Sequence, residues 1–153
     1  MTLPLHRILF VCHGNICRSP MAEYCFRDLA LKAGRASSFL VASAATSSEE
    51  LGNPVYPPVR RLLASFGIST DGKTARRILP ADYARWDRII GMDDENRHSL
   101  LRLFPGDPER KISLLLDWTP HPRPVADPWY TRDFQAAWHD ILSGCTALLS
   151  ALP

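Results

Sequence analysis

The sequence predicts an α/β fold of three layers: a doubly wound, four-stranded parallel sheet flanked by helices. Two observations predict it. Four short apolar runs recur along the chain, each followed by a segment whose apolar residues fall at helical spacing. The runs are predominantly apolar, as strands covered on both faces require. With right-handed crossovers, the order is β-α-β-α-β-α-β-α.

The first run is Ile8-Leu9-Phe10-Val11. The helix after it has Ser19 as candidate N-cap and Pro20 at its first position, where a missing N–H is no loss. Ala22, Cys25, Phe26, Leu29 and Ala33 make its apolar face, and Gly34 stops it. Phe39 to Ala42 is the second strand. A loop with Gly52 and three prolines leads to a stripe of Val59, Leu62, Leu63 and Phe66, closed by Gly67. Arg88 to Met92 is the third strand. Asp93-Asp94-Glu95 then puts negative charge at a helix start, and Pro105 ends that helix. Ile112 to Leu116 is the fourth strand. A proline-rich loop, Thr119 to Pro128, leads to a last helix marked by Phe134, Trp138, Ile141, Cys145, Leu148 and Leu152.

With 153 residues, 46% hydrophobic and 22% charged, the chain has the size and composition of one globular domain, residues 1–153. A net charge of +2, with basic runs no longer than Arg60-Arg61 and Arg76-Arg77, argues against a nucleic-acid partner. No apolar stretch approaches the ~20 residues of a membrane span, so no membrane partner is expected. The opening MTLPLHRILFV has neither a basic leader nor a small-residue cleavage site. A cytoplasmic location follows as the expectation, with four reduced cysteines.

The chemistry concentrates in Phe10 to Glu23, FVCHGNICRSPMAE. A Cys-x5-Arg match is expected about 0.4 times by chance in a chain of this composition, so the bare pattern is weak. Its position makes it stronger. Cys12 ends the first strand, and Arg18 and Ser19 begin the first helix. Gly14 and Asn15, between them, tolerate the left-handed conformations of an inward-curling loop. The N–H groups of such a loop, joined to a helix N-terminus, cradle an anion, and the Arg18 fork matches two phosphate oxygens. Open α/β sheets place their ligands at this carboxyl end.

A thiol at Cys12 inside that cradle is expected as thiolate, with Ser19 donating a hydrogen bond to the sulfur. Under a bound phosphoryl group it is a nucleophile, and the same donors stabilise the equatorial oxygens in the transition state. Neither a metal nor a cofactor is needed. The chain has no Gly-x4-Gly-Lys-Ser/Thr run for nucleotide, and Cys12 and Cys17 lack the second pair that zinc sites use. Cys25 and Cys145 fall on apolar helix faces and read as core residues. Thiol redox chemistry between Cys12 and Cys17 remains open as a secondary property.

A departing alkoxide or phenoxide needs a proton, and a carboxylic acid near the loop is the expected source. Asp107-Pro108 and Asp127-Pro128 compete for the role. Asp107 lies in the turn entering the fourth strand, at the amino end of the sheet. Asp127 lies in the loop leaving that strand, on the Cys12 side, and is the expected acid. Trp129 and Tyr130 follow it and either wall a pocket for an aromatic group or pack the loop onto the helix.

Val11-Cys12-His13-Gly14-Asn15-Ile16-Cys17-Arg18-Ser19-Pro20 resembles the phosphate loop of the low-molecular-weight protein-tyrosine phosphatases. Ser43-Ala44-Ala45-Thr46, Met92-Asp93 with Asn96, and Asp127-Pro128-Trp129-Tyr130 extend the resemblance, in the family's order, over essentially the whole chain. It implies a phosphotyrosine protein phosphatase I-like fold and hydrolysis of phosphotyrosine in proteins, and of small aryl phosphates, through phosphocysteine at Cys12. Arg18 would bind phosphate, and Asp127 would act as acid and then as base toward water. His13, Gly14, Asn15, Ile16, Cys17 and Ser19 would form the phosphate-binding loop, supported by Ser43. Cys17 would trap oxidised Cys12 as a reversible disulfide. The implied partner is a tyrosine-phosphorylated protein, and the implied state a monomer or weak dimer.

The sequence departs from the family at Ser47-Ser48-Glu49-Glu50-Leu51, where many members carry a large apolar residue at the pocket wall. Glu49 at the rim would discourage acidic flanking residues in a substrate; the expectation is that it points into solvent. Two rivals share the anion loop. A thiol-dependent arsenate reductase needs two relay cysteines, which Cys25 and Cys145 do not resemble. A non-catalytic phosphate-binding module needs neither a nucleophile nor an acid.

Overall fold

The computed structural model describes residues 5–153; the first four residues, which open the stretch read for a leader, lie outside the described residues. Strands β1 (His6–Cys12), β2 (Phe39–Ala45), β3 (Arg88–Gly91) and β4 (Ile112–Leu114) form one parallel sheet in the order β2-β1-β3-β4. The helices are α1 (Arg18–Lys32), α2 (Pro57–Ser65), α3 (Asp82–Arg85), α4 (Asp94–Leu103), α5 (Pro128–Thr131) and α6 (Phe134–Ala151).

β1 is central. It pairs with β2 from His6↔Phe39 to Cys12↔Ala45 and with β3 from Ile8↔Arg88 to Phe10↔Ile90. Alternate residues of a strand face opposite sides, so Ile8 and Phe10 join a core built on α1, α2 and α6. Leu9 and Val11 join a smaller one with Trp86, Leu100 and Phe104. Phe10 and Phe26 are both 0% exposed, and burial of each contributes about 2 kcal/mol. Chain order reverses at β1, whose successor β2 lies on one side and β3 on the other. The crevice for a ligand therefore opens at the carboxyl end of β1.

The helix stops agree with the sequence: Gly34 (φ 71°) and Gly67 (φ 77°) take the left-handed conformation that closes α1 and α2. Asp93 caps α4 in both directions. Its Oδ1 accepts from Asn96 N at 2.9 Å, and Asn96 Oδ1 accepts from Asp93 N at 3.3 Å.

Other boundaries differ. α1 starts at Arg18, and Ser19 does not cap it, because its hydroxyl is committed to Cys12 and Asn15. β2 runs on past Ala42 to Ala45, since Ser43 and Ala44 pair with Phe10 and Val11. β4 stops at Leu114, and Leu115–Trp118 wind into a 3-10 helix. The Leu114 N–H donates to Asp117 Oδ2 at 2.9 Å. α6 lies so close to this turn that a Cβ at Gly144 would collide with the Leu115 side chain. Cys25 and Cys145 are buried, and burial together with the neighbouring Cys25 pushes the Cys145 thiol pKa well up. Among the described residues, no helix is long and apolar enough to cross a membrane.

Candidate active site

After β1 the chain curls into a tight loop, with Asn15 left-handed at φ 61°. Donors converge on Cys12 Sγ: Asn15 N at 3.3 Å, Ser19 N at 3.4 Å and Ser19 Oγ at 3.0 Å. The direction of that last bond follows from its neighbours. Asn15 Nδ2 donates to Ser19 Oγ at 2.8 Å and to Ser43 Oγ at 2.9 Å, while Asn15 Oδ1 accepts from Arg76 N at 3.2 Å. Ser43 Oγ donates in turn to Glu23 Oε1 at 2.5 Å. Each hydroxyl has one proton, so Ser19, already an acceptor from Asn15, directs its own to the sulfur.

Asn15, Ser19 and Ser43 are buried and do not line the cavity. Their side chains form a hydrogen-bond network that shapes the loop from beneath. Their tertiary partners draw them beneath the loop. Glu23, to which the sequence analysis assigned no role, anchors this network. Arg27 Nη1 lies 2.7 Å from Glu23 Oε2, and Lys73 Nζ lies 3.6 Å from Oε1. Burial lowers the Lys73 pKa, with Glu23 opposing.

Arg18 is 2% exposed. Its Nη1 donates to Asp93 Oδ2 at 2.7 Å and to Val125 O at 2.8 Å, and Nη2 lies 3.4 Å from Asp127 Oδ2. Burial alone acts to lower the Arg18 pKa; Cys12, Asp93 and Asp127 outweigh it and hold the pKa above its ordinary value. Asp93 and Val125 O are site partners that the residue pattern did not assign. Asp93 had a signal as the acidic opening of α4; a lone carbonyl has none.

Asp127 caps α5, with its Oδ1 accepting from Trp129 N at 3.0 Å and Pro128 at the first helical position. The competing carboxylates are occupied elsewhere. Asp107 accepts from Tyr83 Oη at 2.6 Å, Lys111 N at 2.9 Å and Ile112 N at 3.0 Å, in the turn before β4. Asp117 accepts from Leu114 N and, at 2.8 Å, from Arg97 Nη2.

Cys12, Arg18 and Asp127 line one cavity of about 300 Å³, together with His13, Gly14, Ile16 and Cys17 of the loop. Glu49, Glu50, Trp129 and Tyr130 complete its wall. Glu49 stands at the rim with its side chain largely in solvent, which agrees with both readings of it, pocket wall and solvent. Ser47 N and Oγ both donate to His13 O, at 3.1 and 2.9 Å, which hitches this turn onto the loop. Glu49 Oε2 then lies 2.9 Å from His13 Nε2, at the rim and still largely exposed. Trp129 lines the cavity and packs on Tyr56 at 5.1 Å between ring centroids. Cys17 is buried near Cys12; burial first, then the negative charge of Cys12 and Asp127, pushes its thiol pKa up to about 12. Among the described residues there is no cluster of three metal-ligating side chains.

Chemically, the site is an anion cradle with a sulfur acceptor of three donors, a buried cationic fork and a carboxyl group facing the same space. Residues 7–153 match the family described as low molecular weight phosphotyrosine protein phosphatase. The chain is 40% identical over 147 residues to the low molecular weight protein-tyrosine-phosphatase YfkJ of Bacillus subtilis, covering 95% of this chain and 94% of that protein. It is 36% identical to the low molecular weight phosphotyrosine protein phosphatase of Rattus norvegicus, covering 93% and 92%. The crystal structure of YfkJ superposes with a TM-score of 0.92 at 39% identity, over 99% of this chain and 96% of that one. Fold, loop and full-length similarity agree: the chain belongs to the low molecular weight phosphotyrosine protein phosphatase family.

Proposed function

We propose that this protein hydrolyses phosphotyrosine in proteins, and small aryl phosphates, through a phosphocysteine intermediate at Cys12. The observation that supports it most is the meeting of Cys12 Sγ, the Arg18 fork and Asp127 at one cavity. The phosphate monoester sits with its non-bridging oxygens toward the loop N–H groups and Arg18. Cys12 sulfur attacks phosphorus as the ester bond breaks, and Asp127 gives its proton to the departing phenolate. The same donors hold the equatorial oxygens while charge develops. Asp127, now a carboxylate, takes a proton from water as that water attacks the phosphocysteine. Inorganic phosphate leaves, and thiolate and acid are restored.

The substrate class rests on the relatives, which are named tyrosine phosphatases, and on the aromatic wall of Trp129 and Tyr130. The partner is accordingly a tyrosine-phosphorylated protein, the location cytoplasmic, and the state a monomer or weak dimer. Once a peroxide has oxidised Cys12 to the sulfenic acid, Cys17 loses its proton and its sulfur attacks the Cys12 sulfur, forming the disulfide and releasing water; the raised Cys17 pKa makes this step slow. The test is hydrolysis of p-nitrophenyl phosphate, expected to survive chelator, to be blocked by vanadate and to vanish in Cys12→Ser. Undiminished activity in Cys12→Ser would sink the mechanism.

A further inference from the structure

We propose that Tyr56 is a positioning residue for Asp127, coupling the anion loop to the segment that carries the acid; this rests on the phosphatase reading above. The coupling is visible at both ends of the residue. Tyr56 precedes α2 with φ −56° and ψ 133°, the extended backbone that the following Pro57 imposes. There its N–H donates to Ile16 O at 2.9 Å, so its main chain is tied to the anion loop. Its side chain grips the acid segment. The ring meets Trp129 at 5.1 Å and Phe134 at 6.0 Å between centroids. The Arg132 guanidinium lies 5.5 Å over the same ring, and its Nη2 donates to Tyr56 Oη at 3.1 Å.

Those contacts matter because the acid has little else. Asp127 belongs to no strand, and α5 behind it is a single turn. Among the described residues, its carboxylate is held by Trp129 N and, more distantly, by Arg18. The chain then leaves α5 through Arg132, left-handed at φ 59°, a strained choice for a residue with a Cβ. Arg132 holds that conformation between the Tyr56 and Phe134 rings. Trp129, inside α5, and Arg132, at its end, both follow the acid closely in the chain and meet on one tyrosine. A nucleophile and an acid on separate segments work together only if their spacing is fixed. Here one residue spans them.

The role has a readout that general loosening would not mimic. Proton donation by Asp127 matters greatly for a poor leaving group and little for a good one. The measured quantity is the ratio of kcat/KM for p-nitrophenyl phosphate to kcat/KM for phenyl phosphate. Tyr56→Leu is expected to raise this ratio about tenfold through a displaced acid, with inhibition by inorganic phosphate held within about twofold because the cradle is intact. Tyr56→Phe keeps the stack and is expected to restore most of the wild-type ratio. Arg132→Ala, on an exposed residue, is expected to raise the ratio about threefold. A Tyr56→Leu ratio equal to wild type overturns the proposal. So does an equal loss on both substrates accompanied by weaker phosphate inhibition. If Tyr56→Leu does not fold, an unchanged ratio in Arg132→Ala overturns it alone. Wild-type protein with no Cys12-dependent hydrolysis removes the phosphatase reading and this role with it; active wild type with unmoved ratios removes only the role of Tyr56.

Discussion

Two stretches of chain meet at the cavity, and they are held by different physics. In the anion loop, Cys12, Asn15, Arg18 and Ser19 are each no more than 3% exposed. They are interlocked through Ser43 to a buried carboxylate, Glu23, itself gripped by Arg27 and Lys73. The acid segment is mostly exposed, Tyr130 to 82%, and rests on aromatic stacking and a few hydrogen bonds. A network of directional bonds inside a core tolerates almost no displacement, because each broken bond leaves a buried polar group without a partner. Stacking on an exposed ring is forgiving. The cradle is therefore built once, while the acid can be shifted by degrees.

Substitutions in the two stretches should differ accordingly. The largest effect is expected from Arg18→Lys, about 10³-fold in kcat/KM, since one ammonium cannot serve Asp93, Val125 O and two phosphate oxygens together. Phosphate inhibition should weaken in parallel; a loss confined to turnover would break the view of Arg18 as part of the cradle. Asp127→Asn comes next, with kcat/KM on phenyl phosphate about 10²-fold lower and phosphate inhibition within about threefold of wild type. Unchanged turnover would hand the acid role to Asp107 or Asp117, despite their commitments elsewhere. The smallest effect belongs to the rim. Glu49→Gln should improve kcat/KM for phosphopeptides with acidic flanks by about two- to fivefold relative to neutral ones, the scale of one exposed charge. No shift between the two peptide classes would remove Glu49 from specificity.

Much of this was legible in the residues. Predominantly apolar runs gave the four strands, and Gly34, Gly67 and the Asp93-Asp94-Glu95 opening marked helix ends that the structure contains. Strand direction alone separates Asp107 from Asp127, because parallel strands have unlike ends. What escaped depends on partners distant in the chain. Ser19 looks like a cap because Ser before Pro usually is one; its hydroxyl instead meets a sulfur from β1. Glu23 looks like a solvated helix charge, yet Ser43 and Lys73 close over it from two other segments. Leu115 continues an apolar run, but the chain there turns because Asp117 captures the Leu114 N–H. Glu49 could be placed only once Ser47 was seen to fasten its turn to His13.

The three bonds of Arg18 and Asn15 that define the cradle span long stretches of sequence: 107 residues to Val125, 75 to Asp93 and 28 to Ser43. During folding, helices form in microseconds or less, whereas closing contacts of such separation is the slow step. Turnover is thus a late arrival on the folding pathway, absent from any intermediate that has its helices but not its first and last thirds joined. If inorganic phosphate, the reaction's own product, binds that joined state and not the open chain, mass action makes it a stabiliser of the folded protein as well as an inhibitor.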